Sequence, residues 1–253
     1  MRIAVIAGTP VDTRMGVDLI ESRGAEALGF PVSRTPEEQT AFQVGSPSAR
    51  EEAVGAILDR IRAAGMDRAL LYCNSLSATV DAHALGAARG LKIWTPMDVY
   101  GEIAGRYRRV GVLAANCQGA AGVERAMVNA SPDTLVLGAA NLRLVLGVEA
   151  GTPPETLAED CGLTPLLRFF EDNGAEAVVL GCTHFPYVKK ALERRTALPV
   201  LDPAERLAEL VLTGGGPAPA GETIAGGAAR GPLEICRKKQ IFQKNNCSQT
   251  GHF

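Results

Sequence analysis

AVVLGCTHFP (177–186) decides the fold. Four apolar residues run into Gly181, then into a cysteine followed at once by Thr183 and His184, and Phe185 and Pro186 open a helix-like stretch. A short apolar run bounded by such a turn reads as a buried strand feeding a helix. ALLYCNSLSA (69–78) has the same layout, with Cys73 followed by Asn74 and Ser75. The two segments share a design and little else, so they predict two α/β lobes, each offering one cysteine at a strand end.

Outward from these, apolar runs recur at IAVIAG (3–8), RVGVLAA (109–115) and DTLVLG (133–138). Helix-like segments are expected near 15–28, 48–64, 77–89, 97–107, 119–129, 164–173, 186–195 and 203–212. Val54, Ile57, Leu58 and Ile61 show the helical spacing most plainly. Pro203 suits a first helical turn, with Asp202 ahead of it as cap. Strands alternating with helices predict an α/β fold with parallel sheets flanked by helices and an active site in the cleft between two pseudo-symmetric lobes. In such sheets ligands gather at the carboxyl ends of strands. The expected division is 1–95 plus 200–212 for lobe one, 96–199 for lobe two, and 213–253 as linker and disordered tail.

Composition narrows the class. Of 253 residues, 46% are hydrophobic and 21% charged, which is ordinary for a globular chain and excludes collagen-like, coiled-coil and wholly disordered readings. No apolar run is long enough to span a bilayer. The opening MRIAVIAG lacks the h-region and cleavage site of a secretory leader. A net charge of -2 gives the whole protein no electrostatic case for nucleic acid or membrane. The tail differs: residues 214–229 are rich in Gly, Ala and Pro, and residues 230–253 carry five basic side chains against Glu234. Apolar helix faces fit either core or a homodimer interface.

Six cysteines stand at 73, 117, 161, 182, 236 and 247, with no CxxC and no zinc-finger spacing. The default is free thiols in a reducing cytoplasm. A lone buried cysteine is ordinary core. A cysteine at a strand end facing a helix N-terminus instead sees a positive dipole that favours thiolate, beside backbone N–H groups suited to a carboxylate. Cys73 and Cys182 both stand so, and their matching polar followers favour function. Cys117, Cys161 and His83 read as core or helix-surface residues. Gly8 and Gly16 make no dinucleotide fingerprint.

GCTHFP (181–186) and CNS (73–75) resemble the two cysteine motifs of the aspartate/glutamate racemase family, closest to glutamate racemases. The resemblance extends in order over residues 1–212 through RRVGVLAA (108–115), GVEAG (147–151) and LDPAERLAELV (201–211). It implies a cofactor-independent racemase of an acidic amino acid, glutamate favoured, needing neither metal nor pyridoxal phosphate. In a bacterium D-glutamate would feed cell-wall peptidoglycan. It further implies that Cys73 and Cys182 act as base and acid on opposite faces of Cα, exchanging roles with direction, with His184 and Glu149 assisting the second thiol. Asn74, Ser75 and Thr183 would hold the substrate.

Three departures stand against this pattern. The family's Asp-Ser after the first strand is replaced by AGTPVDTRMG (7–16), where Asp12 comes late and either reaches the first thiol or caps a helix, and Thr9 or Thr13 stands in for the serine. The family's Tyr-Gly substrate loop is not visible in PVSRTPEEQTAFQVG (31–45), and its threonines are missing from AANCQGAAG (114–122). These losses leave aspartate, a hydantoin or another small acid open as substrate, and also a catalytically silent amino-acid-binding regulator.

Overall fold

A computed structural model describes residues 1–216. The expected basic tail, with Cys236 and Cys247, lies outside the described residues. The first half of the chain runs β1 (Arg2–Ala7), α1 (Pro10–Glu21), β2 (Glu26–Pro31), α2 (Pro36–Val44), α3 (Pro47–Ala63), β3 (Arg68–Leu71), α4 (Asn74–Ser77), α5 (Ala82–Ala87) and β4 (Lys92–Trp94). The second runs α6 (Met97–Ala104), β5 (Arg109–Ala114), α7 (Cys117–Ala130), β6 (Leu135–Ala140), α8 (Leu142–Glu149), α9 (Pro154–Asp160), α10 (Leu163–Asp172) and β7 (Ala177–Gly181). A 3-10 turn (Phe185–Val188), α11 (Lys189–Glu193), β8 (Val200–Leu201) and α12 (Ala204–Thr213) complete it.

The strands form two four-stranded sheets, ordered β2-β1-β3-β4 and β6-β5-β7-β8, and every pairing is parallel. Each sheet thus repeats one topology: its first strand sits inside, its second pairs on one flank and its third on the other. That reversal is a switch point, where the connections after two adjacent strands leave to opposite faces and open a crevice at the carboxyl edge. Both cysteine turns follow the third strand of their sheet, so the likeness of the two segments is a likeness of position in the fold.

Both faces of each sheet are covered, as parallel sheets require. Along β1, Ile3, Val5 and Ala7 pack with α1 and α12, while Ala4 and Ile6 meet Val54, Leu58 and Ile61 of α3. In the second sheet Val178 and Leu180 face Phe170 of α10, and Val110, Val112 and Val179 face Val123 and Met127 of α7. The last helix returns to the first sheet through Leu207, Leu210 and Val211. The chain therefore passes between the sheets twice, from β4 into α6 through Thr95 and Pro96, and from β8 into α12 through Asp202 and Pro203. Asp202 Oδ1 accepts from Ala204 N at 2.9 Å, the capping expected there.

Some expected elements move. The helix expected at 15–28 instead starts at Pro10 and stops at Glu21. Thr9 and Asp12 form a capping box, Pro10 takes the first turn, and Gly24 at φ 81° turns the chain into β2. The stretch 77–89 divides into α4 and α5, with Asp81 capping the second. The segment 31–45, where the family's substrate loop is not visible, contains α2, capped by Thr35 with Pro36 in its first turn. No described helix is long and apolar enough to cross a membrane.

Gly111 shows how tightly the second sheet is covered: a Cβ there would lie 2.5 Å from Phe170 Cγ. The Gly111→Ala variant is expected to lose about 1–3 kcal/mol of stability through overpacking. Urea denaturation checks this, and an unchanged midpoint would show that α10 rides loosely on β5.

Candidate active site

β3 delivers Cys73 through Tyr72, and β7 delivers Cys182 directly after Gly181. The two cysteines are 6% and 7% exposed, and both line one cavity. The turns after all four inner strands reach it: Gly8, Thr9 and Asp12 after β1, Asn74 and Ser75 after β3, Ala115 and Asn116 after β5, and Thr183 and His184 after β7. No lysine or arginine lines it among the described residues.

A polar chain backs the second cysteine. Cys182 Sγ lies 3.7 Å from His184 Nδ1, and His184 Nε2 lies 2.7 Å from Glu149 Oε1 at the end of α8. Thr9 Oγ1 donates to the same Glu149 oxygen at 2.5 Å and also stands 3.0 Å from Asp12 Oδ1. One hydroxyl proton thus faces two carboxylates. Glu149, on α8, thereby joins the turn after β7 to the turn after β1. Burial pushes Glu149 up, but hydrogen bonds from His184 and Thr9 outweigh it and hold the carboxyl below its ordinary range. Burial pulls His184 down, yet its bonds to Cys182 and Glu149, with the nearby charges, lift it well above the usual imidazole value. A protonated His184 presents an N–H to sulfur on one side and to carboxylate on the other.

Asp12 is 1% exposed. Its oxygens accept from Gly8 N at 3.1 Å and Thr9 N at 2.7 Å. Burial raises its pKa, and the charge of His184 together with these N–H groups only partly offsets that. Asp12 closes the capping box of α1 and lines the cavity, bonded to Gly8 and Thr9 rather than to Cys73. Thr9 takes the cavity-facing place. Thr13 is buried against the backbone, its hydroxyl donating to Thr9 O at 2.6 Å.

Cys73 packs at the edge of the first sheet's core. Burial, with the Asp12 charge adding to it, pushes the thiol up to about 12, while the Leu76 backbone N–H and the Ser75 hydroxyl pull the other way. Asn74 Oδ1 accepts from the Tyr100 hydroxyl of α6, which fixes the amide and leaves Nδ2 as the donor. Thr183 lines the cavity wall at 6% exposure.

Residues not anticipated from the sequence also stand in this wall. Gln39 and Gln43, one helical turn apart on α2, are 7% and 4% exposed and line the cavity with Asn116. Their signal in the sequence was the i, i+4 spacing of two glutamines in a helix whose N-cap is Thr35. Among the other cysteines, Cys117 is exposed at the start of α7 and Cys161 is partly buried beside the second core. His83 is surface-exposed and pairs with Asp98 at 2.9 Å.

Comparisons with known proteins agree with this fold. The glutamate racemase of Limosilactobacillus reuteri (strain DSM 20016) is 28% identical over 159 residues, covering 57% of this chain and 57% of that protein. The chain thus spans little more than half the length of the curated relative it matches. The glutamate racemase from Francisella tularensis, solved with D-glutamate, superposes with a TM-score of 0.68 at 16% identity, over 84% of this chain and 80% of that one. The aspartate racemase of Picrophilus torridus gives 0.63 at 15% identity, over 84% and 93%. At such identities the solved structures share the fold. The model of the family described as Asp/Glu/Hydantoin racemase matches residues 26–211. Because that match begins at β2, ends inside α12 and takes in both cysteine turns, the chain belongs to the Asp/Glu/Hydantoin racemase family.

Proposed function

We propose that the protein inverts the configuration at Cα of an amino acid with an acidic side chain, glutamate first, by proton transfer between Cys73 and Cys182. The observation that carries this reading is the single cavity walled by one cysteine from each sheet. Inversion needs a proton removed from one face of a carbon and another delivered to the opposite face. Two thiol groups, one charged and one neutral, supply both.

Burial keeps the Cys73 thiol protonated in the resting site. In one direction Cys182 takes the α-proton while Cys73 gives its own to the far face. The sulfurs have then exchanged protonation states, and the reverse reaction starts from there. His184 supports the Cys182 sulfur, and Glu149 holds the imidazole in place. Asn74, Ser75 and Thr183 hold the α-carboxylate and ammonium, so that charge developing at Cα meets preorganised donors. The D-glutamate in the Francisella neighbour supports an acidic ligand. The amide wall of Gln39, Gln43 and Asn116 favours a second reading in the same family, aspartate or an uncharged ring such as a hydantoin.

Incubation in deuterium oxide with a panel of L- and D-amino acids and hydantoins decides among these. Solvent deuterium is expected at Cα of glutamate with loss of optical purity. The Cys73→Ala and Cys182→Ala variants are expected to lose turnover by at least about a thousandfold while keeping their fold. Exchange with no member of the panel would end the racemase reading.

Glu149→Gln tests the polar chain. Hydrogen bonds to Cys182 and to Glu149 both raise the His184 imidazole, and the variant weakens the second of them, so the imidazole titrates at lower pH. The alkaline limb of kcat/KM should move down by about one pH unit. Histidine NMR should show the same displacement. A histidine raised by folding adds its stability in full below its unfolded pKa of about 6.5 and loses it as pH climbs through the folded value. The stability gap between wild type and variant should therefore narrow toward alkaline pH. An unmoved limb with an unmoved titration would remove Glu149 from the mechanism.

A further inference from the structure

We propose that Gln39 and Gln43 of α2 are positioning residues for the Cys73 sulfur. Gln43 aims the Ser75 hydroxyl at it, and Gln39 donates to it, so that a directed hydrogen-bond chain runs from the second sheet's wall to the first sheet's thiol.

The direction of that chain follows from one backbone group. Gly119 N donates to Asn116 Oδ1 at 2.9 Å, and a backbone N–H can only donate, so this atom is the oxygen and Nδ2 points away. Asn116 Nδ2 donates to Gln43 Oε1 at 2.7 Å, which turns the Gln43 NH2 toward Ser75. Gln43 Nε2 donates to Ser75 Oγ at 2.5 Å. With that bond accepted, the serine keeps its own proton to give, and Cys73 Sγ stands 3.6 Å from Ser75 Oγ. The second donor is held by a hydroxyl rather than by a backbone N–H. Ser33 Oγ donates to Gln39 Oε1 at 2.9 Å, leaving Gln39 Nε2 facing Cys73 Sγ at 3.9 Å.

Two donors aimed at one sulfur stabilise its thiolate over its thiol. They work against burial and against the groups that disfavour charge there, Asp12 on α1 and Cys182 after β7. His184 lies on the Cys182 side. Gln39 and Gln43 thereby make Cys73 able to give up its proton in the direction of turnover that needs it as base.

This inference rests on the proposed function only for its catalytic consequence, and its test does not. Alkylation by iodoacetamide is followed across about pH 7 to 10 in the full chain. Mass spectrometry separates the Cys73 peptide from the Cys182 peptide, which serves as internal reference. Below a thiol's pKa its alkylation rate rises about tenfold per pH unit, so a raised pKa displaces the whole line. The Gln43→Met variant is expected to slow Cys73 about tenfold with the Cys182 rate unchanged.

Should that variant fail to fold, Gln39→Met carries the same expectation. Ser33→Ala, which touches neither sulfur nor Ser75, should slow Cys73 about threefold by freeing Gln39. Equal slowing of both cysteines, or no slowing of Cys73 in any folded variant, overturns the proposal. A chain that alkylates as expected yet exchanges no deuterium would support the relay and sink the racemase reading.

Discussion

Parallel pairing with a reversal of strand order is the constraint on which the site depends. A parallel strand cannot turn straight back to its neighbour, so each connection leaves over a face of the sheet. Where two adjacent strands send their connections to opposite faces, the carboxyl edge between them stays uncovered. This chain makes that arrangement once between β1 and β3 and again between β5 and β7. Four turns then open onto one hollow, and chemistry needs only a few side chains placed in them.

What fills those turns is held by charge balance in a poorly solvated space. Asp12, Glu149, His184 and two sulfurs share the cavity region, and no lysine or arginine lines it among the described residues. Among the described residues that line it, the imidazole is the one side chain that can carry positive charge, and its bonds to Cys182 and Glu149 raise it well above the usual value. Thr9 divides a single hydroxyl proton between Asp12 and Glu149. The same threonine caps α1, so helix geometry and site electrostatics are set by one residue.

Much of this was legible in the chain. The apolar runs ending in Cys73 and Cys182 marked the two switch points, because a buried strand and its turn are local features. His184 was legible through its place two residues after Cys182, and Glu149, Asn74, Ser75 and Thr183 through motif likeness. The glutamines were not, since their role depends on the position of α2 against α4 and α7, which no local pattern encodes. α1 starts earlier than expected because Thr9 caps it and Pro10 takes its first turn, and β2 carries little apolar signal because only Phe30 of its six residues is buried. Cap chemistry and glycine position decided both boundaries.

The double passage of the chain between its sheets has a mechanical consequence. Each passage is a short link carrying a proline, Pro96 in one and Pro203 in the other, and proline fixes φ near −65°. The two sheets are thereby joined at two places in the chain, and each link contributes one fixed backbone angle to the way they meet.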